Sequence, residues 1–540
     1  MIPLIFDYAI PSAFTSDRER AQLGLSPNLR RPLRFHGRIR EHVLSVRLAL
    51  QALGELIWSD DSWASTDGYL SGVLDPVVTV HRDRVFFEAF SQDQSAYGLV
   101  IVDRELFETE GEVECGTTNV DFTAWLWAAL GEMRSSRDTW LRIEKPGLEV
   151  RTEGAGGRFE QKVELPESWV RGFLQLQGAM ALPGTRLTVR PVDLVAALRF
   201  LRFSHAKVSP RALRYVFEPG QPAALVLEPW EERIVLRGAE HGYDEPWTIR
   251  TWGRRRLRLL EPLLPYAHKV DVFLKGRALP SFYAVELPGV TWVLGLTGWS
   301  GQRFSGTGSF DLLTPDAPVT SGLKERVLAV LRERQAASVE ALSQAVGADK
   351  PDTSRALFHL CRAGMTVFDV QRREYRHREL FETPVDEARL FPPDARRERA
   401  NALLQEGRVK VESVTPRETR KIKWLRNPEG TERREIIHRD QVVVGAVAEQ
   451  SQVELVLNDE ERLIFAICGC DFFLENILNQ GPCEHMLALL TASAGARRDM
   501  ATSAAVSPEA EALSKPLRVT EAPGEGGSGG AGEELDGEEP

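Results

Sequence analysis

One spacing constrains this chain more than anything else in it. Cys468-Gly469-Cys470 is followed, twelve residues later, by Cys483-Glu484-His485. The two close pairs, C-x-C and C-x-H, make a donor set of three thiolates and one imidazole, the mixture that tetrahedral Zn²⁺ prefers. Two thiolates at i and i+2 of a straight strand stand too far apart to share one metal comfortably. The chain therefore has to bend there, and Gly469 permits the bend. Gly481-Pro482 then sets Cys483 and His485 at the start of a helix whose packing face is Met486, Leu487, Leu489 and Leu490. Between the pairs, Phe473 and Ile477, like Leu474 and Leu478, are four apart, which suggests a short helix over the site. Four protein ligands leave no open position for water, so the expected role is structural: one Zn²⁺ per chain on Cys468, Cys470, Cys483 and His485. Such a centre carries a charge of about −1, which basic strands before it can offset.

Cysteine usage supports this reading. The chain has 540 residues and five cysteines, so a disulfide framework is excluded, and the two outside the motif, Cys115 and Cys361, read as structural. Clustered cysteine in a reducing compartment points to metal. The N-terminus lacks a charged n-region and a long apolar stretch, and no run approaches a membrane span, so a cytoplasmic location is expected. Net charge is −11, but residues 501–540 carry nine acidic and two basic side chains, leaving the body near −4. That balance neither demands nor excludes a polyanionic partner met by a local basic patch.

The length allows two to four domains. Residues 1–32 show no period and read as irregular. Ile39, Val43, Val46, Leu50, Leu53 and Ile57 predict a helix, a core element rather than a dimer seam because it lasts fewer than three heptads. Strand-like runs at 77–81, 84–90 and 96–102 predict an antiparallel meander. Asp121 is a candidate cap for a helix carrying Trp125, Leu126 and Leu130. More strands are expected near 213–218, 223–228, 233–237, 270–274, 281–286 and 290–296, with helices near 169–177, 192–202 and 255–264. Strands followed by a helix in both halves of 70–300 suggest a degenerate duplication. Gly298, Ser300, Gly301, Ser305, Gly306 and Gly308 make neither a phosphate loop nor a nucleophile elbow and read as a closing loop. With no H-E-x-x-H and no clustered histidine either, no enzymatic activity is expected.

Residues 321–383 change character. Leu323, Val327, Val330 and Leu331 share one helical face; Ser338 caps a second helix ending at Gly347; Pro351 begins a third, stopped by Gly364. Strands at 366–370 and 374–377 follow. Three helices and a basic hairpin resemble a winged helix-turn-helix. The resemblance implies that Lys350, Thr353, Ser354 and Arg355 open a DNA-reading helix, with Arg372, Arg373, Arg376 and Arg378 on or beside a phosphate-contacting wing.

Residues 408–439 carry ten Lys or Arg against five Glu, with Trp424 among them, and Arg420, Lys421 and Lys423 in the densest part. A basic hairpin with an aromatic suits a phosphate backbone or a single strand, or is simply a solvated face. Strands, C-x-C, a spacer and C-x-H opening an apolar helix, over about 439–492, resemble the SWIM zinc finger family, with all four ligand positions present. The resemblance implies binding of DNA or of other proteins. Bacterial chains of this layout resemble those proposed to work with a MoxR-type AAA+ ATPase and a von Willebrand factor A protein.

The expected fold class is α+β multidomain. Its parts are a mixed α+β region at 1–315 and a winged-helix-like module at 321–383. A linker with a short helix follows at 384–407, then a basic hairpin plus a small zinc-stabilised ββα module at 408–495. A disordered acidic Gly/Glu-rich tail is expected at 496–540. The expected function is non-catalytic DNA binding, with a protein-interaction adaptor as the alternative.

Overall fold

The computed structural model describes residues 2–8, 13–16, 18–25, 33–59, 76–120, 124–143, 159–165, 167–206, 211–277, 279–297, 304, 319, 322–381, 390, 394–427, 430–459, 461–478 and 480–505. Asp121, nearly all of the Gly/Ser run at 298–308, the hairpin tip at 428–429 and the chain beyond 505 lie outside them.

Val, Ile and Phe at alternate positions build the centre of the molecule. Val77–Val80, Arg84–Phe90 and Ala96–Asp103 form one antiparallel meander; Lys269–Leu274, Ser281–Leu287 and Val290–Leu296 form another. They join along an antiparallel seam in which Ala96 faces Leu296 and Val102 faces Val290. Gly116–Asn119 borders the first meander and Thr185–Val189 the second, which completes an eight-stranded sheet. Read outward from the seam, both halves have a three-stranded meander and then one further strand.

Each of the six meander strands feeds two cores because successive side chains alternate faces. From Arg84–Phe90, Val85, Phe87 and Ala89 join the core that contains helix Val43–Ile57. Phe86 and Phe90 join the core that contains helix Glu167–Ala181, where the rings of Phe90 and Phe173 lie 4.7 Å apart. Burying each such side chain stabilises by about 1.5–3 kcal/mol. This second core continues through residues 322–381 into the cysteine-bearing region.

Two expectations near the N-terminus need correction. The first helix starts at Val43, and Ile39 ends a strand, Phe35–Ile39, paired to Asp138–Ile143 and Phe107–Thr109. Pairing with distant strands overrides the helical spacing. Residues 1–32 contain strands rather than irregular chain: Ile2–Tyr8, Ala13–Ser16 and Arg20–Leu25. Ala21, Leu23 and Leu25 are buried at alternate positions, a period too short to stand out in the sequence. A four-stranded sheet ordered Glu232–Val235, Ala224–Leu227, Leu213–Phe217, Trp247–Thr251 completes this region.

Residues 322–381 hold helices Leu323–Arg334, Val339–Val346 and Lys350–Arg362. A three-stranded sheet follows the order Ala336–Ala337, Glu374–His377, Thr366–Asp369. Ser338 caps the second helix, accepting from the Ala341 N–H at 3.2 Å. Asp349 caps the third, accepting from the Asp352 N–H at 2.7 Å, so this helix begins one residue before Pro351. Asp349→Ala should cost about 1 kcal/mol locally, read as roughly fivefold faster hydrogen exchange at the Asp352 amide. Unchanged exchange there would remove the cap assignment.

Helix Ala395–Gln405, within the stretch expected as a linker, packs on helix Glu484–Ala492. The last sheet runs in order Val409–Asn427, Gly430–Val447, Gln450–Leu457, Leu463–Ile467, all antiparallel. Helix Ala494–Ala505 occupies the start of the expected tail. Arg497 holds it there, buried, with donors to Leu490 O at 3.2 Å and Ser493 Oγ at 3.3 Å.

Candidate metal centre

Strand Leu463–Ile467 delivers Cys468 as it ends, and two short helices take over. Cys470 is the N-cap of Asp471–Asn476 and Cys483 is the N-cap of Glu484–Ala492. Both sulfurs thus sit where unpaired helical N–H groups favour negative charge. His485 is the second residue of the second helix, within its first turn. Gly469 has no left-handed backbone. What it supplies is room, since a Cβ there would sit 2.8 Å from Gln450 Oε1. The left-handed glycine is Gly481, with φ +79°, which turns the chain into Cys483.

The donor atoms of Cys468, Cys470, Cys483 and His485 all lie within 4.8 Å of one another. Cys468 Sγ is 3.8 Å from His485 Nδ1. Tetrahedral Zn²⁺ with ordinary Zn–S and Zn–N bonds separates its ligand atoms by about 3.5–3.8 Å. The set therefore fits a metal ion such as zinc, with Nδ1 the nearer imidazole donor. Cys468 and Cys483 are buried, while Cys470 and His485 are partly open.

The electrostatics of the cluster follow from one thiol ionising first. Donation from Cys483, helped by the His485 ring, pulls Cys468 down to about 4. The same contact, with burial, pushes Cys483 well up, and burial raises Cys470. His485 is raised by its contact with Cys468. Metal binding to such a set displaces the remaining thiol protons.

Sequence reasoning missed two arginines around this centre. Arg396 donates to Gln480 O at 2.6 Å and Pro482 O at 3.0 Å, holding the turn before Cys483, and its guanidinium lies 4.8 Å from the Phe472 ring. Arg462, at the foot of the strand leading to Cys468, is fully buried. It donates to Ser354 Oγ at 2.8 Å, Tyr375 Oη at 3.3 Å and Ala181 O at 3.1 Å. Arg396 also pairs with the neighbouring Asp394 at 2.5 Å, but no spacing rule marks either residue, because the carbonyls and hydroxyls that tie them to this centre lie elsewhere in the chain.

The residues expected to read DNA are not gathered on a solvent face. Thr353 and Ser354 are buried. Lys350 pairs with Asp459 at 2.7 Å and Glu340 at 3.0 Å; Arg355 pairs with Asp352 and with Glu461 at 3.2 Å. Asp459, Glu461 and Arg462, just before the strand that leads to Cys468, cover this end of the helix. Of the expected wing, Arg376 and Arg378 are buried at 1% exposure. Arg376 binds Asp83 at 2.9 Å and lies 3.4 Å from Asp369; Arg378 binds Glu88, which also accepts from Tyr97 Oη at 2.6 Å. The basic hairpin is thus docked against the central sheet, and its charges meet carboxylates there instead of phosphate. Arg372 is half-exposed and lies 3.4 Å from Asp83, and Arg373 occupies the hairpin turn with φ +57°. Arg420, Lys421 and Lys423 lie on strand Val409–Asn427, opposite Ile437, Ile436 and Arg434; their side chains are outside the described residues.

No family model matches the chain, and no curated protein matches it. Solved structures do align. Proliferating Cellular Nuclear Antigen from Entamoeba histolytica is 10% identical, with TM-score 0.32 over 49% of this chain and 98% of that one. PCNA from Thermococcus kodakaraensis is 12% identical, with TM-score 0.31 over 49% and 100%. The C-terminal region of FEN-1 bound to A. fulgidus PCNA gives 12%, 0.31, 49% and 98%. TM-scores this low assign neither fold nor function. Among the described residues no helix is long and apolar enough to cross a membrane.

Proposed function

We propose that the chain is a non-catalytic nucleic-acid-binding protein that contacts DNA through the hairpin Val409–Asn427/Gly430–Val447. Its zinc centre, of the SWIM type that the sequence resembles, holds the sheet from which the hairpin springs. One observation carries this reading. The third strand pairs with the hairpin only as far as Gln441, opposite Leu457. Beyond it, eleven residue pairs from Arg417↔Asp440 to Asn427↔Gly430 continue as a two-stranded ribbon. At about 3.4 Å per residue the ribbon is roughly 34 Å long. A two-stranded ribbon has no core of its own, and a duplex major groove is wide enough to admit one.

Residues 417–440 carry eight Lys or Arg against five Asp or Glu. At the ribbon's base Arg417 pairs with Asp440 at 2.9 Å and Arg439 with Glu418 at 3.1 Å. Six further Lys or Arg lie between 420 and 434. The role of touching DNA thus passes from the winged-helix-like module, where Lys350, Arg355, Arg376 and Arg378 are paired with carboxylates of the chain, to the ribbon.

The test is binding of the intact protein to duplex DNA across a salt series. Neutralising Arg420, Lys421 and Lys423 to Gln should lower the steepness of log K against log salt by about one unit for each phosphate no longer neutralised. Failure of the intact protein to bind at low salt would favour the adaptor reading. One observation favours that alternative: Ile467 and Leu474, which flank the metal ligands, are exposed, as is Trp247 against Phe465. A MoxR-type AAA+ ATPase and a von Willebrand factor A protein remain the partners that the layout resemblance proposes.

A further inference from the structure

We propose that the outer face of helix Pro191–Phe203 is a docking groove for an acidic amphipathic peptide of another protein. This surface is separate from the ribbon and does not depend on it. The helix has two apolar faces. Its inner face puts Leu194, Ala197 and Leu198 into the core shared with helix Val43–Ile57. Its outer face carries Val192, Val195, Arg199 and Phe203 at steps of three or four, one stripe along the helix. Phe203 is 74% exposed, Val192 59% and Val195 39%. Among the described residues eight large apolar side chains are exposed, and three of them lie on this helix. A fourth, Tyr266, belongs to the turn Leu264–Tyr266, which packs on it. Exposed apolar groups scattered singly are ordinary, whereas a run of them on one face marks an interaction site.

Val195, Leu198, Arg199, Arg202 and Phe203 line a groove closed on its other side by Glu261. Its volume of about 280 Å³ falls below the roughly 300–1,000 Å³ of pockets that enclose small organic ligands. It suits one anchoring side chain of a larger partner. Charge selects the partner's chemistry. Glu261 ends the 3₁₀ helix Arg254–Leu260, in which side chains three apart eclipse. Arg255, Arg258 and Glu261 accordingly share an exposed side, while residues 256, 257, 259 and 260 are buried. The groove thus has Arg199 and Arg202 on one wall and Arg258 above the other, with Glu261 as the one acid lining it. The side chains of Arg199 and Arg258 have no partner among the described residues. Arg202 pairs with Glu261 at 3.2 Å, but both are well exposed, and such a pair contributes little. An apolar groove with a basic rim fits a helix that presents Leu or Phe between Asp and Glu. A second copy of this chain fits badly, since a two-fold contact would set the same arginines against each other. The recess between Leu198 and Glu261 favours a peptide side chain over a flat anionic lipid surface.

The test uses the full chain and a fluorescein-labelled helical peptide with Leu and Phe on one face and Asp and Glu elsewhere. Anisotropy should show saturable binding at low salt that weakens as salt rises. Phe203→Ser or Val195→Asp should weaken it roughly tenfold, as loss of an anchor does. Arg199→Glu combined with Arg258→Glu should weaken it several-fold and flatten the salt dependence. The same peptide with Lys in place of its acids should not bind. All four side chains are exposed, and Arg258 lies on a different element from the others, so the result does not hang on one helix keeping its shape. Absence of saturable binding by the acidic peptide, or binding that these substitutions leave unchanged, overturns the proposal. Binding of phosphatidylserine vesicles in place of the peptide, lost in Phe203→Ser, would assign the face to a lipid surface and overturn it too. A native dimer that Val195→Asp converts to monomer would assign the face to a second copy, with the same consequence.

Discussion

Removing the metal with a high-affinity chelator should unfold residues 395–505 and loosen the module before them. Structural Zn²⁺ contributes about 10–16 kcal/mol of apparent binding energy in small metal-folded units, and that energy is folding energy. Here the four candidate ligands come from one strand end and two short helices, and the six-residue helix buries no residue of its own to orient it. His485→Ala or Cys468→Ser should therefore abolish stoichiometric zinc and make residues 395–505 protease-sensitive. The effect should also spread. Arg462 reaches Ser354, Tyr375 and the Ala181 carbonyl, while Asp459 and Glu461 hold Lys350 and Arg355. Helix Lys350–Arg362 should accordingly gain hydrogen exchange on chelation, whereas the central meanders should not. Purified protein without zinc, and indifferent to chelator, would sink the assignment.

Arg378→Met should be the most damaging single change away from the metal. It leaves the Glu88 carboxylate buried against the sheet with Tyr97 as its remaining donor. Breaking a buried pair from one side costs about 3–5 kcal/mol. Arg378 is itself incompletely satisfied: its Nε and Nη2 have no hydrogen-bond partner among the described residues. Replacing both partners, Arg378→Met with Glu88→Leu, should therefore recover part of the stability, as buried pairs exchanged for apolar groups commonly do, less the cost of leaving the buried Tyr97 hydroxyl without its acceptor. Denaturant unfolding followed by the intrinsic tryptophans would measure both. Equal destabilisation in the single and double variants would show that the pair is not coupled.

These two results bear on what a sequence can show. The cluster of Cys468, Cys470, Cys483 and His485 was legible because a metal site needs its residue types at close spacing, here within eighteen positions. The meanders were legible because alternation is a local signal. The fate of the wing arginines was not. A run of Arg at 372–378 reads the same whether it meets solvent, phosphate or carboxylate, and its partners Asp83 and Glu88 lie about 290 positions earlier. The end of helix Lys350–Arg362 is masked for the same reason, by a turn about a hundred residues later. The length of the ribbon was equally hidden, because it depends on where a third strand stops and not on the hairpin's own residues.

The central seam carries a consequence for how the chain reaches its native state. Val102 pairs with Val290 and Ala96 with Leu296, positions roughly two hundred apart. Each meander can close through short hairpins on a microsecond scale, but the seam has to wait for a long loop to be brought together. Two preformed half-sheets would then each present an apolar edge strand, Ala96–Asp103 or Val290–Leu296, before they find one another. Refolding yield should fall with protein concentration for that reason, and a newly made chain stays exposed to self-association until synthesis has passed residue 296.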